Sequence, residues 1–241
     1  MNFNSLPYII LLAVTVILFF NLPRNGRIVL LIFSSLVFYS FWSIPFVSLI
    51  VISALIDYTA GIVIHGTEKK RLRNLFLVIS MSCNLGLLGY FKYSNFFVDS
   101  VRSLIGASTD TPYLDVILPP GISFYTFQTM SYTIDVYRRQ IAPTRSFTRF
   151  FLYVMFFPQL VAGPIERASH LLTQFDYAAR QRFSMDNFVS GGRMIVLGMF
   201  KKVVFADYLA QIVEPVYSSP GSYDGWSALI ATYAFTLQIY F

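Results

Sequence analysis

The sequence predicts an all-α, polytopic integral membrane protein. Of its 241 residues, 56% are hydrophobic and only 12% are charged, and the charges gather in short clusters, a pattern foreign to water-soluble domains. Residues 1–23, 28–56, 74–91, 116–134, 150–165 and 225–241 carry no Asp, Glu, Lys, Arg or His, and such runs suit the ~30 Å hydrocarbon core of a bilayer. The excess of 18 Lys and Arg over 12 Asp and Glu lies between these runs. It is not interleaved with polar and aromatic groups, so nucleic acid is not an expected partner; the lipid bilayer is.

The first helix is expected at about 6–21. No basic region precedes Ile9–Phe20 and no small-residue cleavage site follows, so this segment reads as a retained helix and not as a cleaved signal peptide. Pro23, Asn25 and Gly26 end it. The stretch 28–64 would run ~55 Å as one helix, nearly twice the ~30 Å core, and must fold back. Pro45 marks the turn, giving helices at 28–42 and 46–64 with Trp42 at an interface. Further spans are expected at 74–91, 119–137, 150–165, 187–205 and 225–241, with 92–118 a loop. The single cysteine, Cys83, lies in an apolar run, which excludes an intrachain disulfide or a cysteine-rich metal site.

Lys and Arg are retained on the cytoplasmic side of membrane helices. Arg24 and Arg27, then Lys69, Lys70, Arg71 and Arg73, then Arg138, Arg139, Arg145 and Arg149 follow alternate spans. All three clusters are therefore expected in the cytoplasm. The N-terminus, the turn at Ser43–Pro45 and the 92–118 loop, where Asp99, Asp110 and Asp115 outnumber Lys92 and Arg102, are expected outside.

From residue 116 the apolar runs carry Pro, Gly and polar groups. Pro119 and Pro120 suit a helix start. Beyond them Tyr125, Gln128, Tyr132 and Asp135 fall on one helical face by their spacing of three, four and three. Polar groups facing lipid are costly, of order ~3 kcal/mol for Asp at mid-bilayer, so that face must look inward. It either lines a polar cavity or bonds neighbouring helices, and Asp135 also suits an interfacial ion pair beside Arg138 and Arg139. Pro158-Gln159 and Gly163-Pro164 interrupt the next run. Gln159 and the Ala162-Gly163-Pro164 turn thus belong to a re-entrant wall or to an interfacial kink.

Residues 166–186 are polar enough for a surface segment, with Leu171, Leu172 and Phe175 on the apolar side of a short helix. Lys201, Lys202 and Asp207 could hold an anionic donor or form a snorkelling edge. His65 and His170 lie outside the apolar runs and read as solvated residues. No Ser/His/Asp pattern, phosphate-binding glycine loop or HExxH motif is present, and no bound metal or cofactor is expected.

Several stretches resemble the membrane-bound O-acyltransferase family, in its alginate O-acetylation branch. They are Phe3-Asn4-Ser5-Leu6, Leu85–Tyr93 (LGLLGYFKY), Pro120–Gln128 (PGISFYTFQ), Ser131–Tyr137 (SYTIDVY), Phe156–Ile165 (FFPQLVAGPI), Gly198–Val204 (GMFKKVV) and Ala206-Asp207, and they span essentially the whole chain. The resemblance implies a bacterial inner-membrane enzyme in which a ring of helices holds a funnel. An acyl donor, acetyl-CoA or an acyl carrier, would enter from the cytoplasm. Acetyl would pass to hydroxyls of an exported polysaccharide such as alginate, with periplasmic partner proteins; related members transfer D-alanine to teichoic acids. Tyr125, Gln128, Tyr132 and Gln159 would line the funnel, and Lys201, Lys202 and Asp207 would sit on the donor side. The family's key histidine falls in a later membrane segment and matches neither His65 nor His170. Leu237–Phe241 stops inside an apolar run before the family's Asp-Phe-Ser-Gly-type motif, so the chain is expected to be the N-terminal part of such an enzyme and inactive alone. A transporter or polysaccharide-export subunit, and an inert remnant, are the competing readings.

Overall fold

The computed structural model describes residues 3–105, 116–161 and 163–241. Asp110 and Asp115 of the expected outer loop, and Ala162 of the expected turn, lie outside the described residues. Among those residues the regular structure is entirely helical. The chain forms two compact units, Met1–Gln181 and Arg182–Phe241.

The first unit begins with α1 (Leu6–Asn21), α2 (Arg24–Ser40) and α3 (Ile44–Gly66). Prolines set the punctuation: α1 and α3 each carry one in their first turn, and Pro23 is the N-cap of α2, positions where a missing N–H breaks no intrahelical bond. The chain continues through α4 (Lys70–Leu88), a π-helical turn at Gly89–Tyr93 and α5 (Ser94–Ile105). The sequence reading placed a loop from residue 92; instead the helix runs on. Asp99 and Arg102, which read as loop charges, form an i,i+3 ion pair of 3.5 Å on the helix surface, and the π turn keeps the backbone bonded while shifting the face presented by α5. Among the described residues, two helices are long and apolar enough to cross a membrane, the 23-residue Ile44–Gly66 and the 35-residue Lys70–Leu104.

The unit closes with α6 (Ile122–Tyr137), α7 (Phe147–Met155) and α8 (Ala168–Ala178). Helix α6 packs on α3 and α4, and α7 fills the space against α2 and α3. The side chains of Phe150 through Met155 are all buried, so this short helix is the centre of the unit. The outward surface is apolar, with Leu6, Ile17, Val29, Phe33, Phe41 and Ile44 all exposed. A water-soluble protein avoids such continuous exposure, whereas lipid contact favours it.

The second unit contains α9 (Met185–Phe200), a π-helical turn at Lys201–Ala206, α10 (Asp207–Ser218) and α11 (Gly225–Tyr240). Helix α10 occupies a stretch the sequence reading left without an element. Its Val213 and Val216 are buried, as are Ala231 and Ala234 of the adjoining α11, so packing overrides Pro215 inside the helix.

The start of α6 depends on one glycine. Gly121 has φ 75°, and a Cβ there would lie 2.5 Å from the carbonyl oxygen of Leu160. The helix can begin against the interrupted segment only without a side chain at this position. Gly121→Ala is expected to destabilise the protein by about 2 kcal/mol, from left-handed strain and the clash, read as a lowered midpoint of thermal unfolding in detergent.

Candidate functional site: a polar layer around α6

Tyr125, Gln128 and Tyr132 turn into the first unit and are buried. The Gln128 side-chain amide donates to the carbonyl oxygen of Tyr153 at 2.8 Å. In return the Tyr153 hydroxyl lies 3.2 Å from the carbonyl oxygen of Gln128 and 3.0 Å from that of Glu166. This stitches α6 to α7 and α7 to the segment beyond it. Tyr132 accepts a hydrogen bond from the backbone N–H of Thr144 at 3.3 Å, and its ring stacks obliquely on Phe150 with centroids 4.6 Å apart. On the α3 side, a Cβ at Gly61 would come within 3.0 Å of the Tyr132 ring. Tyr125 is buried near the start of α6, where the Tyr39 hydroxyl donates to the carbonyl oxygen of Pro120 at 3.0 Å. Asp135, the last member of the stripe, is half-buried.

Gln159 organises the break after α7. Phe156 leaves the helix, the N–H groups of Gln159 and Leu160 bond back to its carbonyl oxygen at 3.0 Å, and Gly163 N–H bonds to the Gln159 carbonyl oxygen at 2.8 Å. The Gln159 amide donates to Pro164 O at 2.9 Å. A Cβ at Gly163 would fall 2.5 Å from Gln159 Cγ, which explains the glycine. Irregular backbone of this kind persists away from water only where side chains and turns satisfy its polar groups.

A second cluster, which the sequence reading passed over, lies on the α3 and α4 side of the same helix. Asp57 is fully buried and accepts hydrogen bonds from the Ser80 hydroxyl, from the Thr133 hydroxyl at 3.2 Å and from the Asn84 amide at 2.8 Å. Asn84 Oδ1 in turn accepts from Ser53 at 2.7 Å and Thr129 at 3.4 Å. All these partners are neutral. The available signal was Asp57 itself, a carboxylate inside a long apolar helix, which is a functional or structural marker by default. Its partners come from two other helices, α4 and α6, far along the chain.

In the second unit, Lys202 Nζ lies 2.7 Å from Asp207 Oδ2, with both side chains nearly half exposed. Lys201 is exposed. Both lysines belong to the π-helical turn, a feature frequent at functional sites. His170 is exposed and bridges Glu166 and Gln174 at 3.1 and 2.9 Å, while His65 is exposed at the end of α3.

Comparison with known proteins gives relatives along nearly the whole chain. A protein of Azotobacter vinelandii named "Probable alginate O-acetylase AlgI" is 36% identical over 93% of this chain and 45% of its own length. Its namesake in Pseudomonas putida is 34% identical over 100% of this chain and 50% of its own. A "Peptidoglycan O-acetyltransferase" of Helicobacter pylori is 31% identical over 88% and 44%. The chain belongs to the membrane-bound O-acyltransferase family. It spans about half the length of the curated relatives it matches. No family model matches, and no solved structure matches. Membership of the membrane-bound O-acyltransferase family and the apolar helices together make this a membrane protein.

Within this member of the family, removing the Asp57 carboxylate orphans the donors of Ser80 and Asn84. Asp57→Ala is expected to cost about 2 kcal/mol of stability, the usual penalty for unsatisfied buried groups. Asp57→Asn, which keeps an acceptor oxygen, should cost less. Unfolding midpoints of the two variants in detergent check the order.

Proposed function

We propose that this region forms part of a membrane O-acetyltransferase that transfers acetyl to hydroxyls of an exported polysaccharide. The similarity to relatives named for alginate and for peptidoglycan carries the reading. The two names share O-acetyl transfer and differ in polymer, so the reaction class is the common property and the acceptor varies.

Acetyl from a coenzyme A or carrier donor approaches from the side bearing the basic clusters. Contacts among those clusters support one shared side. Arg24 and Arg149 both contact Asp176, and Arg73 and Arg139 reach the carbonyl oxygens of Tyr137 and His65. This side is the cytoplasm and the N-terminus is outside. The acceptor polymer and its partner proteins meet the enzyme on that outer side. Gln128 and Tyr132 hold the wall of the donor passage in register through α7, Tyr125 packs at its end, and Gln159 shapes its broken rim. Lys201 supplies positive charge to the donor, and Lys202 is held by Asp207.

Acyl transfer is steep in geometry, because a misplacement of ~1 Å can cost on the order of 10²-fold in rate. The full-length gene, expressed in a bacterium whose own polysaccharide O-acetylation has been deleted, should restore acetyl esters on the exported polymer. Gln128→Ala, at equal protein level, should lower the ester content by on the order of 10²-fold through loosening of α6 from α7. An unacetylated polymer with the unaltered gene would remove the proposal.

A further inference from the structure

A polar cavity of about 320 Å³ opens where α2 and α7 begin. Arg24 and Arg149 line it together with Asp176, Ser146 and Thr148. Arg149 grips Asp176 through both terminal nitrogens, at 3.0 and 3.2 Å, while Arg24 reaches the same carboxylate only at 3.9 Å. Two guanidiniums against one carboxylate leave one positive charge. Neither helix has an acidic residue in its first turn, and neither N-cap residue, Pro23 or Ser146, caps through its side chain. Cations at the positive end of a helix dipole are unfavourable unless an anion joins them. Asp176 supplies one anion, and a single further negative charge would neutralise the cluster. The three side chains are 39 to 46% exposed, so a ligand can reach them.

The rest of the ligand is specified by α2. Asn25 and Val29 line the polar cavity, and Phe33, Leu36 and Val37 line an apolar groove of about 520 Å³ further along the same helix. Positions 25, 29, 33 and 37 follow the i,i+4 ridge, with Val29 and Phe33 each 63% exposed. From Asn25 to Val37 the helix rises ~18 Å, close to the ~15 Å of one bilayer leaflet. A charged pocket leading into an apolar stripe one leaflet long fits an amphiphile with one negative charge at its head.

We propose that an anionic phospholipid lies along the outer face of α2, its phosphodiester between Arg24 and Arg149 and an acyl chain over Val29, Phe33 and Val37. The phosphodiester provides the missing charge. Ser146 and Thr148 hydrogen-bond to each other at 2.8 Å, which leaves one of their two hydroxyl protons, with the free guanidinium N–H groups of Arg24, to donate to its oxygens. A soluble phosphate-bearing molecule would satisfy the arginines and leave the apolar stripe unused.

Native mass spectrometry of the purified full-length protein tests the assignment, with added phosphatidylglycerol, phosphatidylcholine or acetyl-coenzyme A. Phosphatidylglycerol should bind at least about five-fold more tightly than phosphatidylcholine, the worth of one basic contact with an anionic lipid. The double variant Arg24→Gln, Arg149→Gln should abolish that preference. Asp176→Asn adds one net positive charge and should tighten phosphatidylglycerol binding by about five-fold, a gain that misfolding cannot imitate. Equal binding of the two lipids, an Asp176→Asn variant that binds no more tightly, or displacement of bound phosphatidylglycerol by acetyl-coenzyme A would each overturn the assignment.

Discussion

Buried polar groups must find partners within the protein, and around α6 they do so on both sides. Toward α3 and α4, Asp57 and Asn84 gather the hydroxyls of Ser53, Ser80, Thr129 and Thr133. Toward α7, Gln128 and Tyr153 exchange hydrogen bonds across the helix contact. Apolar side chains cannot hold helices together selectively in a lipid environment, because lipid tails are as apolar as the side chains. Directional bonds and close packing must therefore set the register, and α6 carries both. Within the unit, α6 therefore bonds α3 and α4 on one side and the buried α7 on the other.

Small residues complete what the bonds begin. Gly61 lets the Tyr132 ring approach α3, Gly121 lets α6 begin against the carbonyl oxygen of Leu160, and Gly163 closes the loop around Gln159. The stretches PGISFYTFQ and FFPQLVAGPI, distant in sequence, thus meet through a glycine and a carbonyl oxygen. Gly121 in the first of these stretches answers a steric constraint set by Leu160 in the second, and Gly163 answers one set by Gln159 beside it.

Much of this was legible in the sequence wherever one residue decides locally. Proline punctuation at Pro23 and Pro45, the interruption at Pro158 and Gly163, and the inward face of Tyr125, Gln128 and Tyr132 all follow from chain geometry alone. The readings that the sequence left open or missed depend on partners far along the chain. Asp99 and Arg102 looked like loop charges until their pairing on α5 appeared. Whether Gln128 lined a cavity or bonded a neighbour turned on Tyr153, twenty-five positions away. Asp57 stands at the edge of an uncharged run, and its partners Ser80, Asn84 and Thr133 announce nothing individually.

The claim beneath this account is that Asp57 and Asn84 act as one hydrogen-bonded unit holding α3 to α4. A double-mutant cycle with Asp57→Ala and Asn84→Ala, read as unfolding free energies in bicelles, measures it directly. The account predicts a coupling of at least about 0.5 kcal/mol, the range seen for residues sharing a network. Strict additivity of the two substitutions would contradict it.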